Sequence, residues 1–387
     1  MKPRKLVLLG STGSIGRSTL DVVRHHPGRF EIIALAAYSN ADLLAEQCRD
    51  FHPRYACLVK EGASSQLAEL VEGESIEILA GHSDLLRLAG LSEADIVLNA
   101  VVGAAGLRAS VAAVKAGNDL ALANKESMVA GGSLFDSLIK KSKARILPVD
   151  SEHSAIWQAL NCGRKEELKR IILTSSGGPF RTLPADKFKD ITVEQALDHP
   201  TWNMGPKITV DSSTLANKGL EVIEAVALFQ VPPRQVSVVV HPQSIVHSMV
   251  EFADSSIIAQ LSKPDMRLPI TCALFWPERV ESDFGELDMT EAMQLTFEPP
   301  DYGRFPALRL AFEVAETGGT APAVYNAANE VAVEEFLNRH IGYLEIADII
   351  AATVDNVNVV GNPTLEDIVQ ADRAARLAAH QLVEKDQ

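Results

Sequence analysis

For its first 150 residues the chain alternates short apolar runs with amphipathic stretches, and few folds accept that rhythm. The runs KLVLLG, FEIIALAA, YACLV, IEIL, DIVLNAV, DLALA and RILPV are separated by SIGRSTLDVVRHHP, NADLLAEQCRDF, SSQLAELVEG, HSDLLRLAG, GAAGLRASVAAVKAG and ESMVAGGSLFDSLIKKS. Each run is short and continuously apolar, as a strand buried on both faces must be, and each spacer carries helical spacing. Neighbouring parallel strands need a long crossover, usually a helix, so the alternation predicts a parallel sheet covered on both faces. The fold class is α/β, beginning with a doubly wound sheet over residues 1–149.

Beyond residue 150 the rhythm changes. RIILTSSGGPF reads as a strand ending in a polar, glycine-rich loop, DHPTWNMGPK as a loop, and STLANKGLEVIEAVALF as a helix. QVSVVVHP, IVHSMVEF and SSIIAQLS then follow with no helix between them, which predicts an antiparallel or mixed sheet in an α+β domain over 150–276. Pro277, Pro299, Pro300 and Pro306 mark a linker over 277–306. The remainder, 307–387, is helical by period and closes the chain as a helical bundle.

The glycines of LVLLGSTGSIGRSTL fall where the first strand meets the first helix. Gly10, Gly13 and Gly16 let the backbone turn sharply and approach a pyrophosphate, and the helix start offers free N–H groups to it. Ser11, Thr12 and Ser14 add hydroxyls. A tight turn with no ligand has the same pattern, but its place in the first strand–helix unit of a long alternation favours a Rossmann-like dinucleotide site. An acid at the end of the second strand marks a preference for NAD. Here Ala37, Tyr38, Ser39 and Asn40 carry none, so a 2′-phosphate is tolerated and Ser39 and Asn40 can donate to it.

Composition narrows the partners. A formal net charge of −15 argues against nucleic acid and anionic membranes, so a phosphorylated ligand needs a local cationic pocket or a metal ion. The four cysteines form no C-x-x-C pair, which argues against a zinc knot and fits a reducing compartment. The N-terminal apolar run breaks at Gly10, too early for a signal-peptide core, and no stretch approaches the ~20 apolar residues of a membrane span. A cytoplasmic protein is expected.

Acidic and polar clusters supply the candidate chemistry. Asp150 and Glu152 share a face if the strand RILPV continues through them, and their mutual repulsion is relieved by a hard cation such as Mg²⁺ or Mn²⁺. The alternative is a solvated strand end with Ser151 or Glu152 capping a helix. In VDSSTLANKGLEVIEA, a helix over 214–228 stacks Asn217 on Glu221 with Lys218 beside them, and Ser212 nearby completes a phosphate pocket. An ordinary amphipathic helix with a surface Lys218–Glu221 pair is the competing interpretation. TSSGGPF can aim hydroxyls and amides at an anion, or be a plain turn. His199 and Trp202 of DHPTWNMG can close over a substrate, while His241 and His247 fit hydrogen-bonded strand histidines better than ligands. In ALANKESMV, Lys125 stands at the carboxyl end of a parallel strand, where open sheets bind ligands. A cysteine-dependent aldehyde dehydrogenase lacks its nucleophile's setting around Cys162 and Cys272. A non-enzymatic dinucleotide sensor would not need three clustered acids.

Together GSTGSIG, ANKES, PVDSEHSAIWQ, SSGGPF, DHPTWNMG, DSSTLANKGLEVIEA and HPQSIVHSMVE occur in the order and near the spacings of one family. Over residues 10 to 252 the chain resembles the 1-deoxy-D-xylulose 5-phosphate reductoisomerases. The resemblance implies NADPH-dependent rearrangement and reduction of 1-deoxy-D-xylulose 5-phosphate to 2-C-methyl-D-erythritol 4-phosphate, an early step of non-mevalonate isoprenoid synthesis, by a homodimer whose 150–276 domain is catalytic. It implies Asp150, Glu152 and Glu221 as ligands of Mg²⁺ or Mn²⁺, and Ser176, Ser212, Asn217 and Lys218 around the phosphate. Ser151, Lys125 and His199 would contact the sugar, with Trp202 on a closing loop. Thr12, Gly13, Ser14, Ile15, Asn124, Glu126 and Gly205 match NADPH-contacting positions. The chain departs from the family at Tyr38-Ser39, where a glycine and a cation are usual.

Overall fold

The computed structural model describes residues 2–103, 105–199 and 204–385. Strands β1 (Arg4–Leu9), β2 (Phe30–Ala37), β3 (Tyr55–Leu58), β4 (Glu77–Ala80), β5 (Ile96–Asn99), β6 (Asp119–Leu122) and β7 (Ile146–Pro148) alternate with helices α1 (Ser14–His25), α2 (Ala41–Phe51), α3 (Ala63–Leu70), α4 (Gly81–Ala89), α5 (Gly106–Ala116) and α6 (Lys125–Ile139). Then come α7 (Ser151–Leu160), β8 (Leu168–Ser175), α8 (Val193–Leu197), α9 (Pro206–Thr214), α10 (Ala216–Phe229), β9 (Val236–Val240), β10 (Val246–Phe252), β11 (Ile257–Leu261) and α11 (Arg267–Phe275). Four helices end the chain: α12 (Pro306–Thr317), α13 (Ala321–Leu337), α14 (Glu345–Asn356) and α15 (Leu365–Lys385). The chain divides into two compact units. One comprises Met1–Ser127, Phe135–Ser154 and Asp265–Gly285; the other Met128–Leu134, Ala155–Pro264 and Glu286–Gln387.

The first unit is built on a parallel sheet of order β4-β3-β2-β1-β5-β6-β7. Its direction of growth reverses between β1 and β5, and the crevice beyond the carboxyl ends of strands at such a reversal is where open sheets bind ligands. Leu6, Val7, Leu8 and Leu9 of β1 are wholly buried, as are Ile96, Val97 and Leu98 of β5, so no strand-face alternation is visible in the sequence of either. Register matters here: Leu9 pairs with Ala36 on one side and Asn99 on the other. Late in the sequence the chain returns to this unit, where α11 packs on α1 and against β6 and β7.

The second unit holds a mixed sheet of order β11-β10-β8-β9, with β10 antiparallel to both β8 and β11, and β9 parallel to β8. Its core joins Ile171 and Leu173 of β8 with Leu220 and Ile223 of α10 and with Leu308, Tyr325 and Val331 of the last helices. Helix α13 is buried along most of its length and packs against α14 and α15. No helix among the described residues is long and apolar enough to cross a membrane.

Two local expectations change. The strand carrying RILPV ends at Pro148 and does not run through the acids: Asp150 precedes α7, its carbonyl accepting from Ser154 N–H at 2.8 Å, and Glu152 lies in the first turn. The two carboxylates are therefore near one another through a helix start, not through a shared strand face. The helix expected over 214–228 is present as α10, but the residues before it, not read as helical, form α9, and Leu215 with a left-handed φ of 58° separates the two.

Candidate active site

In the first unit the glycine loop leaves β1 at the switch point. The N–H groups of Gly10 and Ser11 both donate to Ala36 O, at 2.8 and 2.9 Å, which ties the loop to β2. Gly10 has φ +85°, and a Cβ there would lie 2.5 Å from Ala100 O, so only glycine lets the loop pass the end of β5. Gly13 precedes α1 with no side-chain cap, and the first turn holds no acidic residue. Thr12 is half-buried, and Gly13 and Ser14 are exposed, so the helix start presents open amides and hydroxyls. This is the cradle a pyrophosphate requires. At the end of β2, Ser39 and Asn40 are exposed and Tyr38 is 67% exposed. Asn40 spends its side-chain oxygen capping α2 through Leu43 N–H at 3.1 Å, which leaves its amide nitrogen as the donor.

The start of α6 carries Asn124, Lys125 and Glu126, all buried. Asn124 accepts from Ser127 N–H at 3.0 Å and donates to Gly103 O and to Glu126 Oε2, both at 2.9 Å. Lys125 is only 8% exposed, and its Nζ lies 2.7 Å from Asp150 Oδ2. Burial alone would raise the Asp150 carboxyl; the Lys125 ammonium and His153, whose Nδ1 is 3.8 Å from Oδ1, outweigh it and hold Asp150 well below the usual carboxylate range. Ser151 Oγ donates to Glu152 Oε2 at 2.5 Å. The result is a set of hard oxygen donors, with Asp150 kept ionised, at one end of a helix. That donor set suits Mg²⁺ or Mn²⁺.

In the second unit β8 ends at Ser175 and the chain turns through Gly177 and Gly178, both at positive φ. Their N–H groups donate to Ser175 Oγ at 3.2 Å and Ser176 Oγ at 3.3 Å. His199 Nε2 bridges Ser176 Oγ at 3.2 Å and Ser212 Oγ at 3.1 Å. Burial lowers the His199 pKa and so favours the neutral ring. In the first turn of α10, Asn217 Nδ2 donates to Glu221 Oε1 at 2.5 Å and Lys218 Nζ pairs with Glu221 Oε2. Lys218 is 3% and Glu221 1% exposed, so the pair is not the surface pair an amphipathic helix would offer. A buried lysine with an amide beside it, and a histidine-bridged pair of serine hydroxyls, are the group types that bind an anion. Gly205 precedes α9, exposed and with no side-chain cap. Trp202 lies outside the described residues.

Sequence reasoning passed over three neighbours. His153 becomes a partner of Asp150 only once a helix start places them three apart. His247, set aside as a strand histidine, is pushed down to about 4: burial dominates, against a bond to the Ser262 backbone, and Lys218 adds repulsion. Asp211 is wholly buried beside Ser212. The thiols are unpromising nucleophiles: burial pushes Cys48 and Cys57 up to about 12 and raises Cys272.

Comparison with known proteins identifies a family. Family models described as 1-deoxy-D-xylulose 5-phosphate reductoisomerase match residues 6–132, and models of its C-terminal domains match 146–229 and 261–378. The enzyme of that name from Chlorobaculum tepidum is 52% identical over 98% of this chain and all of its own length. That of Halothermothrix orenii is 49% identical over 98% of each. Among solved structures, the reductoisomerase from Zymomonas mobilis in complex with NADPH matches with a TM-score of 0.93 and 44% identity over 99% of both chains. A reductoisomerase in complex with NADPH, fosmidomycin and magnesium matches with a TM-score of 0.93 and 39% identity over 98% of both. This chain belongs to the 1-deoxy-D-xylulose 5-phosphate reductoisomerase family.

Proposed function

We propose that this chain catalyses the NADPH- and divalent-metal-dependent conversion of 1-deoxy-D-xylulose 5-phosphate to 2-C-methyl-D-erythritol 4-phosphate. The observation that carries the reading is that, in a family member, one unit holds an uncapped helix start and an ionised Asp150 beside Lys125, while the other holds a buried lysine and serine hydroxyls. The dinucleotide cradle fits, since Gly10 and Gly16 leave no space for a Cβ and the start of α1 has neither an acid nor a cap. The metal donor set fits, since it is all carboxylate oxygen.

In this reading Asp150, Glu152 and Glu221 hold Mg²⁺ or Mn²⁺, and Thr12, Gly13, Ser14, Ile15, Ser39, Asn40, Asn124, Glu126 and Gly205 hold NADPH. When bound, the metal ion supplies a Lewis acid for the neighbouring oxygens of the hydroxyketone and NADPH supplies the hydride that reduces the rearranged aldehyde. Lys125 keeps Asp150 ionised and presents its ammonium beside the reacting end of the sugar. Ser151 orients a sugar hydroxyl. Ser176, Ser212, Asn217 and Lys218 bind the phosphate, remote from the bonds that break and form, so that binding energy there orients the substrate. His199, already bridging two of those serines, exchanges its hydrogen bonds to substrate oxygens. Most NADPH-binding residues fall within 1–149 and most substrate-binding residues within 150–276, while the helices of 307–387 share the second unit's core. A homodimer in the cytoplasm completes the reading; four free cysteines are compatible with a reducing compartment.

The test is NADPH oxidation with 1-deoxy-D-xylulose 5-phosphate, with and without Mg²⁺. Turnover should require both. Glu221→Gln keeps the shape and one accepting oxygen but removes the charge and the second acceptor. It should cut metal-dependent turnover by at least ~100-fold, as loss of an important electrostatic group does, with NADPH affinity unchanged. Wild-type rates in that variant would refute the metal assignment.

A further inference from the structure

Ser212 follows a carboxylate that is 1% exposed. Asp211 Oδ1 accepts from Asn329 Nδ2 at 2.8 Å, and Lys207 Nζ lies 2.7 Å from Oδ2. Asn329 sits on α13, 118 residues further along the chain, and is itself wholly buried. On the other side of Ser212, the Ser213 carbonyl accepts from Tyr343 Oη at 2.6 Å, again inside the core. Between these two grips the Ser212 carbonyl packs on the turn after β8: a Cβ on Gly178 would lie 2.6 Å from it. Each of residues 211–213 is thus held through a different group, and Ser212 Oγ is left to bond His199.

The hold has a reason. Leu215, with φ 58°, separates α9 from α10, so Ser212 and the Asn217–Lys218 pair stand on different helices. A single helix would fix their spacing; two helices meeting at a left-handed residue do not. Contacts from outside α9 help fix where Ser212 points, among them the buried ones from α13 and from the turn before α14.

We propose that Asn329 and Tyr343 are positioning residues for the sugar-phosphate anchor: through the Asp211 carboxylate and the Ser213 carbonyl they set the placement of Ser212 Oγ, and thereby affinity for the phosphate group. This rests on Ser212 being a phosphate ligand. Neither residue touches the substrate; their effect passes through α9.

The experiment uses the full-length enzyme with Mg²⁺. Tyr343→Phe removes a single oxygen from a packed ring, and Asn329→Ser removes the amide donor. For each, and for Ser212→Ala, one measures kcat and KM for 1-deoxy-D-xylulose 5-phosphate, Kd for inorganic phosphate, Kd for NADPH, and Tm. Each positioning variant should raise KM and the phosphate Kd roughly fivefold, the scale of one hydrogen bond, with kcat within about twofold and NADPH Kd unchanged. Adding Tyr343→Phe to Ser212→Ala should raise KM little further, because both act through the same hydroxyl. Unchanged KM and phosphate Kd in Tyr343→Phe, whatever its Tm, would overturn the proposal, as would additive losses in the double variant. If Asn329→Ser fails to fold, Tyr343→Phe alone decides. If Ser212→Ala leaves both constants unchanged, the phosphate reading falls and takes the proposal with it. If Ser212→Ala changes them and Tyr343→Phe does not, only the positioning role is lost.

Discussion

Lys218 and Glu221 show how a side chain's meaning depends on burial. Three apart on a helix, they read as a surface pair worth a few tenths of a kcal/mol. At 3% and 1% exposure they are instead an ion pair whose members cannot be lost separately without stranding a buried charge. His247 bears on the same corner of the unit. Its folded pKa is pushed down to about 4 from the ordinary 6.5 by burial, with Lys218 adding repulsion. The unfolded chain therefore binds the proton first, so stability is intact above about pH 6.5 and is lost as pH falls towards 4. The loss amounts to about 3 kcal/mol if His247 acts alone. His247→Gln should flatten urea-unfolding stability across that window, and a variant whose stability still falls in parallel with wild type would remove His247 as the source. Residue identities at both cradles were readable from motif strings. Their burial and their partners were not, because those depend on which distant segment covers them.

At the scale of elements, periodicity predicted every strand and most helices. The first seven apolar runs became β1 to β7, and three helix-free runs became β9 to β11. Where the reading failed, a short-range preference was overridden. The strand before Asp150 stops at Pro148 because the chain turns into α7, whose first turn takes up the Asp150 carbonyl. The helix expected over 214–228 formed as α10, but α9 before it went unread, and Leu215 turns left-handed between them, a conformation sequence spacing does not disclose. The glycine loop is the opposite case. Gly10→Ala must place a Cβ 2.5 Å from Ala100 O on a backbone at φ +85°. The strain is about 1–3 kcal/mol and moves the loop off its two bonds to Ala36 O. NADPH affinity should fall at least ~10-fold, the equilibrium change that 1.4 kcal/mol produces, while inorganic phosphate binding at the other cradle stays at the wild-type value. Equal losses at both would mean the loop supports the whole fold and not the dinucleotide.

For the whole molecule, the outer strand β11 leaves an open sheet edge with Ile257 51% exposed. Such edges are normally covered. Sedimentation equilibrium should give twice the chain mass, and Ile257→Lys should shift it towards the monomer; a wild-type monomer at micromolar concentration would remove the homodimer. The sequence by itself determined the parallel sheet and the glycine loop at its first strand–helix junction, and offered the candidate acids and phosphate-binding residues, because alternation, glycine spacing and motif strings are local properties that survive in a one-dimensional string. Tertiary structure alone decided that the chain returns at Arg267–Phe275 to finish the first unit, that Asp150 is held ionised by Lys125 and His153, and that Asn329 and Tyr343 grip the residues flanking Ser212. Those are contacts across tens to hundreds of residues, set by which buried faces and unpaired polar groups find each other when the core closes, and no local pattern encodes them.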